Sequence, residues 1–244
     1  MICIEESLCT GCQNCIPYCP TSALYQEDGS GKTAVNPEKC TDCWVCLRNK
    51  VCPFEAMHQQ EHMDFKSDYR HYMSDPNETT FTGDKGRGTE EIKTNDVTGR
   101  VKIGTVGFTI DMGRPGIGAR LDDVEKVVMA IVEAGIILEE PKKSPLGAVI
   151  KDFKTGEIKE EYKDVFVLSV IVEGTCPIEN AANVLRALKA VSTEINTVFS
   201  LGVALRNVGH GAYARLMEII SGLDIPLPYR GKVNLGLGRP ICNE

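Results

Sequence analysis

Eight of the eleven cysteines in this 244-residue chain fall in two short runs. The first, C-T-G-C-Q-N-C-I-P-Y-C-P, places Cys9, Cys12, Cys15 and Cys19 before Pro20. The second, C-T-D-C-W-V-C-L-R-N-K-V-C-P, places Cys40, Cys43, Cys46 and Cys52 before Pro53. Three cysteines at two-residue spacing let a short loop wrap one corner of a cuboidal metal cluster, each thiolate taking one iron. The intervening amides can then turn toward sulfur, and Gly11 suits a close backbone approach. Zinc takes four ligands, usually from two separate C-x2-C knuckles. Two triplets, each followed by Cys-Pro, do not suit that pattern. The chemistry indicated is iron–sulfur ligation.

Over residues 1 to about 60 the two runs resemble the bacterial two-cluster ferredoxin module. The resemblance implies two [4Fe–4S] clusters with crossed ligation. Cys9, Cys12, Cys15 and Cys52 would hold one, and Cys40, Cys43, Cys46 and Cys19 the other. It also implies a pseudo-twofold repeat, with "ICIEES" and "MHQQEH" as first and last strands, "TSALY" as a short helix, "EDGSGK" as a turn and "TAVN" as a strand. The fourth cysteine of a run is expected to open a helical turn. Five residues separate the last two cysteines of the second run where the family usually has three. The extra residues in L-R-N-K-V are expected to bulge beside Cys52.

The elements that follow have to position this module. Residues 63–100 are polar, rich in Gly, Thr, Asp and Lys, and read as a linker or docking loop, with Arg87, Lys93 and Arg100 as candidate anion contacts. From Val101 the pattern changes. Strand-like V-K-I-G-T-V-G-F-T-I-D-M precedes a helix with apolar residues at 121, 124, 127, 128, 131 and 132. A hairpin through Thr155-Gly156, the apolar strand D-V-F-V-L-S-V-I-V-E-G, a second helix striped at 181, 184, 185, 188 and 191, the strand T-V-F-S-L-G-V-A-L, a third helix G-A-Y-A-R-L-M-E-I-I-S-G-L and a last extended piece follow. The expected fold is α+β: a ferredoxin-like two-cluster module over 1–62, fused to an α+β sandwich over 101–244 with helices on one face of a mainly antiparallel sheet.

Three further features carry chemistry. Two Gly-Arg-Pro turns, "DMGRPGIGAR" and "LGLGRP", offer Arg114, Arg120 and Arg239 as a candidate site for a carboxylate or phosphate. The first is a strand-to-helix turn without the G-x-G-x-x-G or Walker spacing. In "GTCPIEN", Pro177 suits the first position of a helix, which makes Cys176 its N-cap, a place that favours the thiolate. The structural reading, a cap without chemistry, outweighs the nucleophilic one. Cys3 reads as a core thiol, and Cys242 sits near the chain end. "HQQEH" matches the H-x-x-E-H pattern of inverted zinc proteases, but that pattern needs a helix and this segment should be a strand. The loop "GRGTEEIKTNDVTGR" and the turn "GFTIDMGRPGIGAR" resemble iron–sulfur proteins of the hydroxynicotinate reductase type, which implies the company of anaerobic reductases of aromatic rings.

A net charge of −7 excludes a nucleic-acid footprint and suits a larger redox protein or catalytic subunit with a basic docking surface. No apolar run reaches membrane-spanning length, no signal peptide is visible, and a cytoplasmic location is expected. The expected role is an electron-delivering subunit of a multi-subunit anaerobic oxidoreductase. The alternatives are a reductase whose second domain binds an anionic (hetero)aromatic substrate or flavin, and a small-molecule sensor.

Overall fold

The computed structural model describes residues 1–61, 64–80, 83, 99–113, 116–206 and 211–226. At the N-terminus, β1 (Ile2–Ile4) pairs antiparallel with β4 (Met57–Gln59), in the register Ile2↔Gln59 and Ile4↔Met57. Between them, β2 (Leu24–Gln26) and β3 (Thr33–Val35) form a hairpin. Ile2, Ala23 and Leu24 are buried with Cys15, Cys40 and Cys46, so thiols make up much of this small interior.

The segment T-S-A-L-Y is not the expected helix. Leu24 and Tyr25 belong to β2. The helical turn instead precedes Cys19, as a 3₁₀ turn over Ile16–Tyr18, and Cys19 closes it with φ −81° and ψ 111°. Pro20 explains the difference, because a residue before proline is driven out of the helical region. The second run behaves differently. Its extra residues lengthen the turn into α1 (Val45–Arg48), and Lys50, with φ 47°, returns the chain to Cys52.

Helix α2 (Phe65–Tyr72) starts at Asp64, whose carboxylate accepts the Ser67 amide at 2.8 Å. It does not lie free. Tyr69 and the following Met73 are fully buried in the core of the second half, and Lys66 pairs with Asp164 at 2.5 Å.

That second core is built on a four-stranded antiparallel sheet in the order β12–β5–β11–β7. The strands are β5 (Thr105–Met112), β7 (Ile137–Leu138), β11 (Val170–Pro177) and β12 (Phe199–Leu205). Alternation decides the faces. Val106, Phe108, Ile110 and Met112 join Val170, Val172 and Cys176 in one apolar cluster with the buried residues of α3 (Leu121–Glu133), α4 (Ala181–Val191) and α5 (Ala212–Gly222). The other face carries buried Thr109, Asp111 and Glu173. Mixed helix and antiparallel strand content agrees with the expected α+β class. The short pairs β6 (Ala119–Arg120) with β10 (Phe166–Val167), and β8 (Ile150–Asp152) with β9 (Glu157–Ile158), complete the described sheets. The expected last extended piece lies outside the described residues.

The return of the chain from Gly116 to Gly118 is shaped by close packing. A Cβ on Gly118, at φ +80°, would lie 2.3 Å from the Phe166 ring. The same turn reaches the N-terminal module, since a Cβ on Gly116 would lie 3.2 Å from the Pro20 carbonyl oxygen.

Candidate metal centres

The two cysteine runs fold as a repeat at the level of single residues. Gly11 and Asp42, both two residues after the first cysteine of their run, have φ of 71° and 59°. Gln13 and Trp44 match at 62° and 55°, and Ser22 and Glu55, three residues past Cys19 and Cys52, match at 54° and 53°. These left-handed residues curl each loop inward. Four residues past each final cysteine an amide points at its sulfur: Ala23 N–H donates to Cys19 Sγ at 3.0 Å, and Ala56 N–H to Cys52 Sγ at 3.3 Å. Amides aimed at sulfur stabilise thiolate charge.

Four thiols from both runs line each of two cavities. Cys9, Cys12, Cys15 and Cys52 line one, with Ile4, Val51 and Phe54 among its walls. Cys19, Cys40, Cys43 and Cys46 line the other, with Ile2, Leu24 and Trp44. Among the described residues no three His, Cys, Asp or Glu side chains converge to hold a single metal ion. A donor set of four soft thiols around an apolar cavity fits a cluster that keeps one thiolate on each iron.

The cavities differ electrostatically. Burial raises the Cys40 and Cys43 thiols and pushes Cys46 up to about 12, helped by neighbouring Cys43. At the other cavity, burial also works against the Cys9 thiolate. Hydrogen bonds from the Thr33 and Gly11 amides outweigh it and bring the thiol below its usual range. Burial raises Cys15. Ligation requires thiolates, so a cluster in either cavity has to offset the burial of its cysteines.

The second loop is clamped from outside. Asp42 is almost fully buried; its carboxylate meets the Met1 ammonium at 3.2 Å and accepts the Trp44 indole N–H at 2.8 Å. The Trp44 ring stacks on His71 of α2, with centroids 4.0 Å apart. His71 Nδ1 lies 2.8 Å from the Asp42 carbonyl oxygen. Arg48, on the lengthened turn, pairs with Asp75 just beyond α2. These contacts were not readable from local sequence.

The remaining candidates fall as follows. Arg114, Arg239, Arg87, Lys93, His62 and Cys242 lie outside the described residues. Arg120 reaches across to the cysteine module, donating to Glu38 at 2.5 Å and to the Asp164 carbonyl at 3.0 Å. Arg100 pairs with Glu139 and Glu173 at 3.3 and 3.4 Å. His58 is exposed on strand β4, as expected. Cys3 is only half-buried, on the side of β1 opposite the buried Ile2, where its sulfur faces Gln60.

Cys176 is not an N-cap. It lies within β11 opposite Val106, and a 3₁₀ turn at Ile178–Asn180 precedes α4. Burial pushes its thiol up to about 11 instead of lowering it. Native protein should therefore resist iodoacetamide at Cys176 at neutral pH, while denatured protein is alkylated there, as peptide mass mapping would show. Rapid native labelling would mean that this thiol is activated.

A family model for a 4Fe-4S dicluster domain matches residues 8–69. Pyruvate synthase subunit PorD of Thermotoga maritima is 32% identical over 65 residues, 27% of this chain and 63% of that protein. A ferredoxin of Pyrobaculum islandicum is 37% identical over 54 residues, covering 22% and 48%. Ferredoxin-1 of Rhodobacter capsulatus is 40% identical over 40 residues, covering 16% and 58%. The chain thus spans between about half and just under two thirds of the length of these curated relatives. No solved structure matches. The N-terminal segment is a two-cluster ferredoxin module of the iron–sulfur electron-transfer kind. Among the described residues no helix is long and apolar enough to cross a membrane.

Proposed function

We propose that the chain delivers electrons within a multi-subunit oxidoreductase, through two [4Fe–4S] clusters with crossed ligands. Cys9, Cys12, Cys15 and Cys52 hold the first cluster; Cys40, Cys43, Cys46 and Cys19 hold the second. The observation that carries this reading is the sorting of thiols between the cavities, three from one run and one from the other in each. When bound, each cluster supplies a one-electron couple. The chain's own groups orient the thiolates, turn the Ala23 and Ala56 amides onto sulfur and line the cavities with apolar side chains.

The multi-subunit role rests on the likeness to a protein named as a pyruvate synthase subunit, and on the second half. That half has its own core, tied to the module directly by Arg120–Glu38 and, through the segment after α2 that the Leu168 amide holds at Ser74 Oγ, by Arg48–Asp75. It serves as an adaptor that holds the module against a larger catalytic subunit in the cytoplasm. Residues 1–60 carry Lys32, Lys39, Arg48 and Lys50 against seven acidic residues, so a basic surface is the favoured partner.

Anaerobically purified protein should contain about eight iron and eight sulfide per chain. Stoichiometric zinc without sulfide would overturn the cluster reading. Purification of the chain from its native source without a larger subunit would overturn the adaptor role.

A further inference from the structure

The repeat provides its own internal control: equivalent residues of the two loops differ sharply in exposure. Thr10, Cys12, Gln13 and Asn14 are exposed; their counterparts Thr41 and Cys43 are buried, and Trp44 and Val45 are partly covered. The cover over the second loop comes from the rest of the chain. His71 lies on Trp44, Asp75 holds Arg48, Gly116 packs against the Pro20 carbonyl, and Arg120 holds Glu38. Among the described residues, nothing comparable covers the first loop. There Leu8 and Phe54 are large apolar side chains at 49% and 46% exposure, and Phe54 also lines the first cavity. Glu5, Glu6 and Glu55 are exposed beside them. Lys50 is the exposed cation nearby in sequence, while Lys32 directs its ammonium at the Glu6 carbonyl oxygen, 2.5 Å away.

Resting on the two-cluster reading above, we infer that the two sites are inequivalent. The site of Cys9, Cys12, Cys15 and Cys52 is the port at which external redox proteins exchange electrons. The site of Cys19, Cys40, Cys43 and Cys46, whose loop the rest of the chain covers and which keeps Tyr18 as its one large exposed side chain, is the inner relay that passes electrons through the first. Electron transfer falls steeply with distance, so the carrier must sit over Leu8 and Phe54. The partner that fits is a redox protein with an apolar centre ringed by cations, since Glu5, Glu6 and Glu55 add to the negative charge of thiolate-ligated clusters. The step moves one electron from a reduced cluster to an oxidised carrier, with no proton transferred and no bond made or broken.

Two measurements test this on protein shown beforehand to carry both clusters; failure to load would be a failure of the two-cluster reading instead. The first uses a soluble chromium(III) complex as a relaxing agent for the electron paramagnetic resonance of the reduced protein. The signal altered by Cys12→Ser should lose its power saturation, and the signal altered by Cys43→Ser should keep it. His71→Ala should then make the second signal sensitive. Equal sensitivity of both signals in the parent protein would overturn the inference.

The second uses ferric cytochrome c, a small basic redox protein, as the carrier. The triple charge reversal Glu5→Lys, Glu6→Lys and Glu55→Lys should slow its reduction at low ionic strength by about tenfold or more, the lower end of electrostatic steering. Reversing Glu140, Glu160 and Glu161, exposed on the second half, makes the same change in net charge and should leave the rate nearly unchanged. If both triple variants slow equally, or neither slows, the port lies elsewhere.

Discussion

Cys52→Ser should alter the cluster associated with Cys9, Cys12 and Cys15, although Cys52 lies beyond the second run in sequence. Its sulfur lines the first cavity with those three, and its amide contact comes from Ala56 just before the strand β4 that pairs with β1. Serine offers a harder oxygen donor, which iron in a sulfide cluster accepts less well than thiolate. The expected result is a spectroscopic match. Reduced Cys52→Ser should show the same disturbed signal as Cys12→Ser and leave intact the one disturbed by Cys43→Ser. Cys19→Ser should do the opposite. If Cys52→Ser instead matches Cys43→Ser, ligation is not crossed and each run closes on its own cluster.

The crossed pairing came from the resemblance to the two-cluster ferredoxin module, whereas the two loops themselves were legible because their determinants are local. A two-residue spacing between cysteines dictates a tight loop whatever surrounds it, and Cys-Pro forces the chain out of the helical region after each loop. The helices α3 and α4 were legible for a similar reason. The apolar positions 181, 184, 185, 188 and 191 are all buried on α4, as a one-sided helix on a sheet requires. Cys176 was misplaced because Pro177 also suits a strand end followed by a 3₁₀ turn, and the sheet pairing with Val106 decides between them.

Long-range placement was not legible. The sequence F-K-S-D-Y-R-H-Y has only three aromatics at helical spacing among polar residues, and α2 is buried on two sides by different partners. Tyr69 faces the second core while His71 faces Trp44. Arg120 looked like an anion ligand, yet Glu38 and the Asp164 carbonyl occupy its guanidinium. Both residues became joints between the two halves, and neither joint has a signature shorter than the whole chain. The same applies to Gly11. Its counterpart Asp42 shows that the left-handed turn alone does not demand glycine. What demands it is the Gly31 carbonyl oxygen, 2.4 Å from where a Cβ would sit.

The largest loss of stability should follow Tyr69→Ala. The ring is fully buried, within 6.4 Å of Tyr162 and 6.1 Å of Phe65 by ring centroids, and joins Met73 in the second core. Removing a buried aromatic side chain costs about 3–5 kcal/mol, through lost transfer energy and the cavity left behind. A domain stable by about 5–15 kcal/mol would lose a large fraction of that. The effect should also travel. Without Tyr69, α2 keeps Lys66 on Asp164 and Phe65 against Tyr162 but loses its one fully buried ring in the second core, and His71 two residues along should shift over Trp44. Trp44 is the sole tryptophan, so its emission comes from one place, where the ring meets His71, Asp42 and the second cavity. Urea unfolding followed by circular dichroism should show a lowered midpoint, and Trp44 emission should change before the main transition. Tyr69→Phe keeps the ring and should cost far less. An unchanged Trp44 signal in Tyr69→Ala, with the midpoint lowered as expected, would show that α2 is held by the cysteine module and not by the second core.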